Sequence, residues 1–340
     1  MSSAILGWDV GGANLKVARI EDRSQRPSVA EWPFPLWRHP DRLAPMLLDA
    51  ADEMGPASAM AVTMTAELAD CFATKGEGVR FVLDAFESTF PDVAIGVYGV
   101  DERFRPVQGA RDVPHDVAAA NWMASATFVS RMFPDAVFID VGSTTTDIIP
   151  IVGGRVVSKG ASDPARLASG ELIYTGLLRT PVCAIVQSVP YLDQDCRVAA
   201  EFFANTGDVY LWLERIQQED YTCDTADGRG RSHEEAGARL ARVVCADVET
   251  LSADGITGIA RHVAKAQSDQ IRQGIVQVME RLGSSGPKVA VLAGKGAFLA
   301  RAAAEESGLS CVDAADALGT AVSLVAPAAA VAYLFAEGRA

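Results

Sequence analysis

Two short stretches of this chain, about 130 residues apart, place a carboxylate, one or two glycines and small polar residues in the same order. The first is Asp9 to Lys16, DVGGANLK; the second is Asp140 to Asp147, DVGSTTTD. Glycines at 11 and 12 let a backbone approach phosphate oxygens with no Cβ in the way, and the N–H groups of such a turn converge on an anion. Asp9, closing an apolar run, can hold Mg through water, since hard cations take carboxylate oxygens. Lys16 can neutralise phosphate as a point charge. Taken alone, a Gly-Gly turn is more often a structural hairpin. The repetition of the design, with Gly142, Ser143, Thr144 and Thr145 behind Asp140, points instead to a duplicated domain whose copies face one ligand.

A third stretch, Val289 to Ala300, VAVLAGKGAFLA, runs from apolar residues through Gly294-Lys295-Gly296 into a helical pattern. Such a helix N-terminus suits an anion or the ribose edge of a nucleotide, and it equally fits a plain strand-to-helix turn.

These stretches need strands to hold them. Ala4 to Ile20 reads as strand, Gly-Gly turn and returning strand, and Ala136 to Val152 repeats that pattern. Met60 to Met64, Val93 to Val100 and Lys288 to Leu292 read as further strands. Helical spacing covers Leu43 to Met54, Gly78 to Phe90, Ala118 to Met132, Val198 to Gln218, Glu234 to Val248, Gly255 to Leu282 and Phe298 to Glu306. Glu31 to Pro45 reads as an irregular connection with short strands, and Ala321 to Phe335 as a buried helix too short to span a membrane. Gln217 to His233, the most polar stretch, reads as an exposed loop, a surface insertion in preference to a lid.

At 340 residues the chain exceeds one ordinary core, so two domains are expected, with boundaries at 1–133 and 134–340 and the last helix returning to the first. A net charge of -14 opposes nucleic acid as a partner, because clustered Lys and Arg supply most of that affinity. The N-terminus has no basic, apolar signal pattern, which leads us to expect a cytoplasmic protein with no membrane partner. The six cysteines form no CxxC pair and read as reduced thiols, mostly in the core, Cys71 among them.

In order and spacing the three stretches resemble the phosphate-one, phosphate-two and adenosine motifs of the acetate kinase, Hsp70 and actin superfamily. The resemblance implies an α/β fold built from a duplicated RNase H-like (ASKHA) unit, with two domains around a cleft. No GxGxxG follows the first strand, which disfavours a dinucleotide fold. Asn14 stands where many members of the superfamily carry Ser or Thr.

Over nearly its whole length the chain also resembles hydantoinase/oxoprolinase-like proteins linked with tetrahydromethanopterin-dependent one-carbon metabolism. The blocks that carry this are GWDVGGANLK (Gly7 to Lys16), VTMTAELADCFATKGEGV (Val62 to Val79), NWMASA (Asn121 to Ala126), DVGSTTTDIIPI (Asp140 to Ile151), GELIYTGLLRTPV (Gly170 to Val182) and TADGR (Thr225 to Arg229). The archaeal branch of this family looks like methanofuran-precursor synthases, which join an aminomethylfuran diphosphate to the phenol of γ-glutamyltyramine and release diphosphate. The resemblance implies a Mg-dependent transferase of methanofuran-type cofactor biosynthesis for which ATP is compatible but not required.

It further implies Asp9 and Asp140 as Mg ligands through water, and Gly11, Gly12, Gly142, Ser143, Thr144 and Thr145 as cradle donors. Lys16 then stabilises the leaving group, and Asn14, Gly294 and Gly296 complete the cofactor-binding set. In the block Thr63, Thr65, Glu67 and Asp70, Glu67 is the candidate base for the phenol proton, with Asp147 behind it. A helix-start carboxylate is the alternative for Glu67. Arg179 with Thr180 suits a substrate carboxylate, the diphosphate or a structural ion pair. Two other readings stay open: an ATP-dependent small-molecule kinase or hydantoinase/oxoprolinase-like ATPase, and an actin-like or sensory module that uses nucleotide to switch domain closure. Homo-oligomerisation is compatible with all three.

Overall fold

The computed structural model describes residues 4–22 and 26–339; Met1–Ser3 of the N-terminal reading lie outside them. Among the helices are α1 Leu43–Met54, α2 Lys75–Thr89, α3 Asn121–Ser130, α4 Thr206–Trp212, α5 His233–Arg242, α6 Ala253–Leu282, α7 Ala297–Glu306 and α8 Ala326–Arg339. The chain forms two compact units, Met1–Phe138 with Ile149–Arg166 and Val312–Ala340, and Ile139–Ile148 with Leu167–Cys311. The expected boundary at 133/134 therefore differs from the observed division. The first unit also takes the end of the second hairpin and the C-terminal helix.

In the first unit, β1 (Ile5–Val10) and β2 (Asn14–Ile20) form an antiparallel hairpin, which β3 (Ser28–Pro33) extends. β4 (Ala59–Met64) and β5 (Ala94–Tyr98) join as parallel neighbours on the other side, and β6 (Phe104–Pro106) pairs antiparallel with β5. The order is β3-β2-β1-β4-β5-β6. Strand alternation sorts the side chains. Trp8, Val10, Val62 and Met64 pack with Leu43, Leu47, Val82 and Phe86 of α1 and α2, and Trp8 meets Phe86 edge-on at 5.5 Å. The other face is covered by α8, whose run of alanines lets the helix axis come close: a Cβ on Gly7 would strike the Ala328 carbonyl. Tyr333 of α8 stacks on Phe128 of α3 at 5.1 Å.

In the second sheet, β7 (Ala136–Val141) is followed by β8 (Thr146–Val152), with β9 (Arg155–Val156) and β10 (Leu172–Ile173) beside β8. After a separate hairpin of β11 (Ser188–Tyr191) and β12 (Gln194–Arg197), β13 (Val289–Ala293) and β14 (Ser310–Asp313) complete the order β10-β8-β7-β13-β14. Helix α6 supplies Ile256, Ile259 and Val263 to a core shared with Val182, Val189, Val209 and Leu240.

Several expectations need correction. The helix expected over Val198 to Gln218 is only α4, because Asn205 and Asp208 form a capping box that starts the helix there. The helix expected from Ala118 begins at Asn121, after Ala119 adopts φ +48°. The helix expected to reach Val248 ends at Arg242, with Cys245 at φ +58°.

The polar stretch Gln217 to His233 is not a free surface loop. Tyr221 in it is fully buried, and Asp227 is tied to the buried Arg239 at 3.1 Å. Nor are the cysteines core residues: Cys71 and Cys245 are exposed and the other four are part-exposed. Cys71 sits in the turn after Glu67, where the chain leaves the sheet. Among the described residues no helix is long and apolar enough to cross a membrane.

Candidate active site

The first hairpin lies in a row of polar residues across four strands, charged on three of them. Glu31 on β3 is opposite Lys16, Lys16 is opposite Asp9, and Asp9 is opposite Thr63 on β4. Directly opposed residues leave a sheet on the same face, so this is one row. Asp9 is 5% exposed and its Oδ1 has no hydrogen-bond partner. Burial raises its pKa to about 6, opposed by the charge of Lys16 and aided by that of Glu31. Such a carboxylate lacks the hydration its charge needs, and a cation would restore it.

The row ends at the turn that joins the strands. Gly11 N–H donates to the Asn14 carbonyl at 3.0 Å and closes the turn. Gly12 is part-exposed, and a Cβ there would meet nothing within 4 Å, so its backbone can be approached closely. Thr65 N–H donates to the Val10 carbonyl at 2.9 Å and brings the chain after β4 against the end of β1.

Glu67 follows in a single helical turn, Ala66–Leu68, and is 1% exposed. The backbone N–H of Ala119 donates to its carboxylate, while Oε2 has no partner. Burial pushes its pKa up to about 7, against the pull of its own backbone N–H and of Lys75, with Asp163 pushing further up. Lys75 and Asp163 are themselves paired at 2.6 Å. Near neutral pH a carboxyl held so can both accept and return a proton. Asp70, by contrast, faces solvent.

The second unit repeats the strand-end design with different support. Gly142 N–H donates to the Thr145 carbonyl at 2.9 Å, closing the turn between β7 and β8 as in the first hairpin. The Gly142 and Ser143 carbonyls accept from the backbone N–H groups of Leu177, Leu178 and Arg179 at 2.9–3.0 Å. Gly176 lies flat under Ser143 and Thr144, where a Cβ would be 2.5 Å from the Thr144 nitrogen.

Gln267 of α6 holds that support: its Nε2 donates to the Gly176 carbonyl at 2.8 Å and to Thr175 Oγ1 at 2.9 Å, and its Oε1 accepts from Tyr210 at 2.6 Å. Asp140 is part-buried at the end of β7. Gly294, at φ +81°, passes over the Asp140 carboxylate, and Gly296 N–H donates to the Val141 carbonyl at 3.0 Å. Asp147 is the second residue of β8, opposite Leu172.

The first unit thus brings together Asp9, Gly11, Gly12, Asn14 and Lys16, and the second brings together Asp140, Gly142, Ser143, Thr144, Thr145, Gly294 and Gly296. Arg179 joins the second group through its backbone, and Thr180 is used structurally, its hydroxyl accepting from Gly176 N–H at 2.9 Å. Sequence reading missed Gln267, Gly176 and the Lys75–Asp163 pair. No local pattern marks them, since each acts on a residue distant in sequence.

Two α/β units, each with a hairpin whose first strand ends in Asp-Val before a Gly turn, define the actin, Hsp70 and sugar kinase class of fold, a duplicated RNase H-like architecture. An acetone carboxylase solved in a nucleotide-free state superposes with TM-score 0.55 at 9% identity, covering 94% of this chain and 70% of that one. Residues 58–337 match Hydantoinase/oxoprolinase, and the chain belongs to that family. It is 36% identical over 335 residues, 98% of each chain, to the (4-{4-[2-(gamma-L-glutamylamino)ethyl]phenoxymethyl}furan-2-yl)methanamine synthase of Methanocaldococcus jannaschii. To the synthase of the same name from Methanococcus vannielii it is 35% identical over 214 residues, 62% of this chain and 95% of that one.

Proposed function

We propose that this chain is a transferase that makes an aryl ether of a methanofuran-type cofactor, joining an aminomethylfuran diphosphate to the phenol of a glutamyltyramine. The observation that carries the reading is the end-to-end likeness to the Methanocaldococcus jannaschii synthase, whose name describes a phenoxymethyl furan. In the reaction, a bond forms between the phenol oxygen and the exocyclic furan carbon. The bond from that carbon to the diphosphate oxygen breaks, and the electron pair leaves with diphosphate. The furan ring spreads the positive charge that builds on the carbon, so stabilising the departing anion is the main demand.

The residues suit that demand. A bound Mg would supply charge neutralisation to the leaving diphosphate. Asp9, with an unpartnered buried oxygen, fits a water-bound cation, and Asp140 takes the corresponding role in the second unit.

Lys16, opposite Asp9 in the hairpin, adds positive charge to the leaving group. Backbone N–H groups of Gly12, Ser143, Thr144 and Thr145 orient the phosphates, with Asn14 at the turn; those of Gly11 and Gly142, expected as further donors, are taken by the Asn14 and Thr145 carbonyls and shape the two turns instead. Glu67 accepts the phenol proton, and Asp147 is held as the second candidate for that role. The Gly294 to Gly296 turn supports Asp140.

Incubating the protein with aminomethylfuran diphosphate, γ-glutamyltyramine and MgCl2, with and without ATP, tests the reading by mass spectrometry. Ether formation without ATP is expected. Ether formation only with ATP, accompanied by ADP, would replace the reading with an ATP-dependent enzyme of the same family.

A further inference from the structure

Asp9 and Thr63 are opposed in the parallel β1–β4 pair, so their side chains leave the same face with backbones about 5 Å apart. Thr63 is fully buried and Asp9 nearly so. Nevertheless Thr63 Oγ1 and Asp9 Oδ1 both lack a hydrogen-bond partner. Buried hydroxyls are normally paired, and one left alone costs stability. Valine would fill the same strand position with the same branched shape and no stranded oxygen. Two adjacent orphan oxygens on one sheet face, beside the Gly11 to Asn14 turn, call for a shared polar partner.

We propose that Thr63 is a ligand-binding residue of the diphosphate site, its hydroxyl and Asp9 Oδ1 together accepting the hydrogens of one cation-bound water. This rests on the diphosphate reading above. The hydroxyl then contributes to binding of the cation and diphosphate together, and it burdens the ligand-free fold.

Thermal unfolding of the full chain tests this, in metal-free buffer and with MgCl2 plus inorganic diphosphate, for wild type, Thr63→Val, Thr63→Ser and Asp9→Asn. Thr63→Val is expected to melt at or above the wild-type temperature without ligand. Its apparent affinity for magnesium diphosphate, from the concentration dependence of the shift, is expected to weaken roughly tenfold, the scale of one hydrogen bond. Thr63→Ser is expected to restore the affinity. If Asp9→Asn loses the shift while Thr63→Val keeps the wild-type response and melts lower without ligand, the hydroxyl is structural and the inference about Thr63 fails alone. A wild-type protein that shows no shift overturns the diphosphate reading together with it.

Discussion

Glu67 shows how burial sets both stability and chemistry at one residue. Its pKa in the fold is about 7 against an ordinary 4.5, with burial the largest cause, so the folded chain binds this proton more tightly than the unfolded chain. The protonated group therefore favours folding below about pH 4.5, and that contribution is lost as pH rises through 7. The size is on the order of 3 kcal/mol. Urea unfolding of the metal-free protein is expected to show stability falling between pH 5 and 7.5, with a flatter profile in Glu67→Gln. A profile unchanged by the substitution would contradict the burial account. For the base proposed at Glu67 catalysis has the opposite sign, since a base must be ionised. The kcat/KM of wild type is expected to rise through pH 7, and Glu67→Gln to lose about 10²- to 10⁴-fold, as read by initial rates across pH. The position of Glu67 after a buried strand was legible in the sequence. Its environment was not, because Ala119, Lys75 and Asp163 reach it from other parts of the chain.

At the scale of elements, the two strand-turn-strand hairpins were legible because Gly turns and alternating apolar residues are local signals. Their supports are not local. Gly294 combines a left-handed φ of +81° with close passage over Asp140, so alanine is strained there whatever its neighbours do. Gly294→Ala is expected to destabilise the protein by about 1–3 kcal/mol and to displace Asp140, seen as a lowered melting temperature with weaker dependence of rate on Mg concentration. Gln267→Leu strands the buried Tyr210 hydroxyl, at about 1–3 kcal/mol, while the Gly176 carbonyl keeps the Thr206 hydroxyl at 2.9 Å. Chemical denaturation measures that loss. The same non-locality explains the misread loop. Residues 217–233 look soluble in composition, yet Arg239 and Asp208, paired at 2.8 Å in a fully buried setting, draw Asp227 and Tyr221 inward.

For the molecule as a whole, the fold class was legible from repetition, which no single motif could have supplied. The division of the second hairpin between the units was not, because no local signal within Ala136 to Val152 marks it. Removing residues 326–339 would bare Gly7 and the apolar face around it, and is expected to leave a chain that no longer unfolds cooperatively by circular dichroism. The central proposal is that Asp9 and Asp140 are each needed for the diphosphate-releasing reaction. Its most direct measurement is the initial rate of diphosphate release from aminomethylfuran diphosphate, with Mg and without ATP, in wild type, Asp9→Asn and Asp140→Asn, each with and without γ-glutamyltyramine. Release in wild type that depends on the phenol, falling at least a hundredfold in both variants while both remain folded, is the expected result. Release that ignores the phenol, or that survives either substitution, would contradict the account.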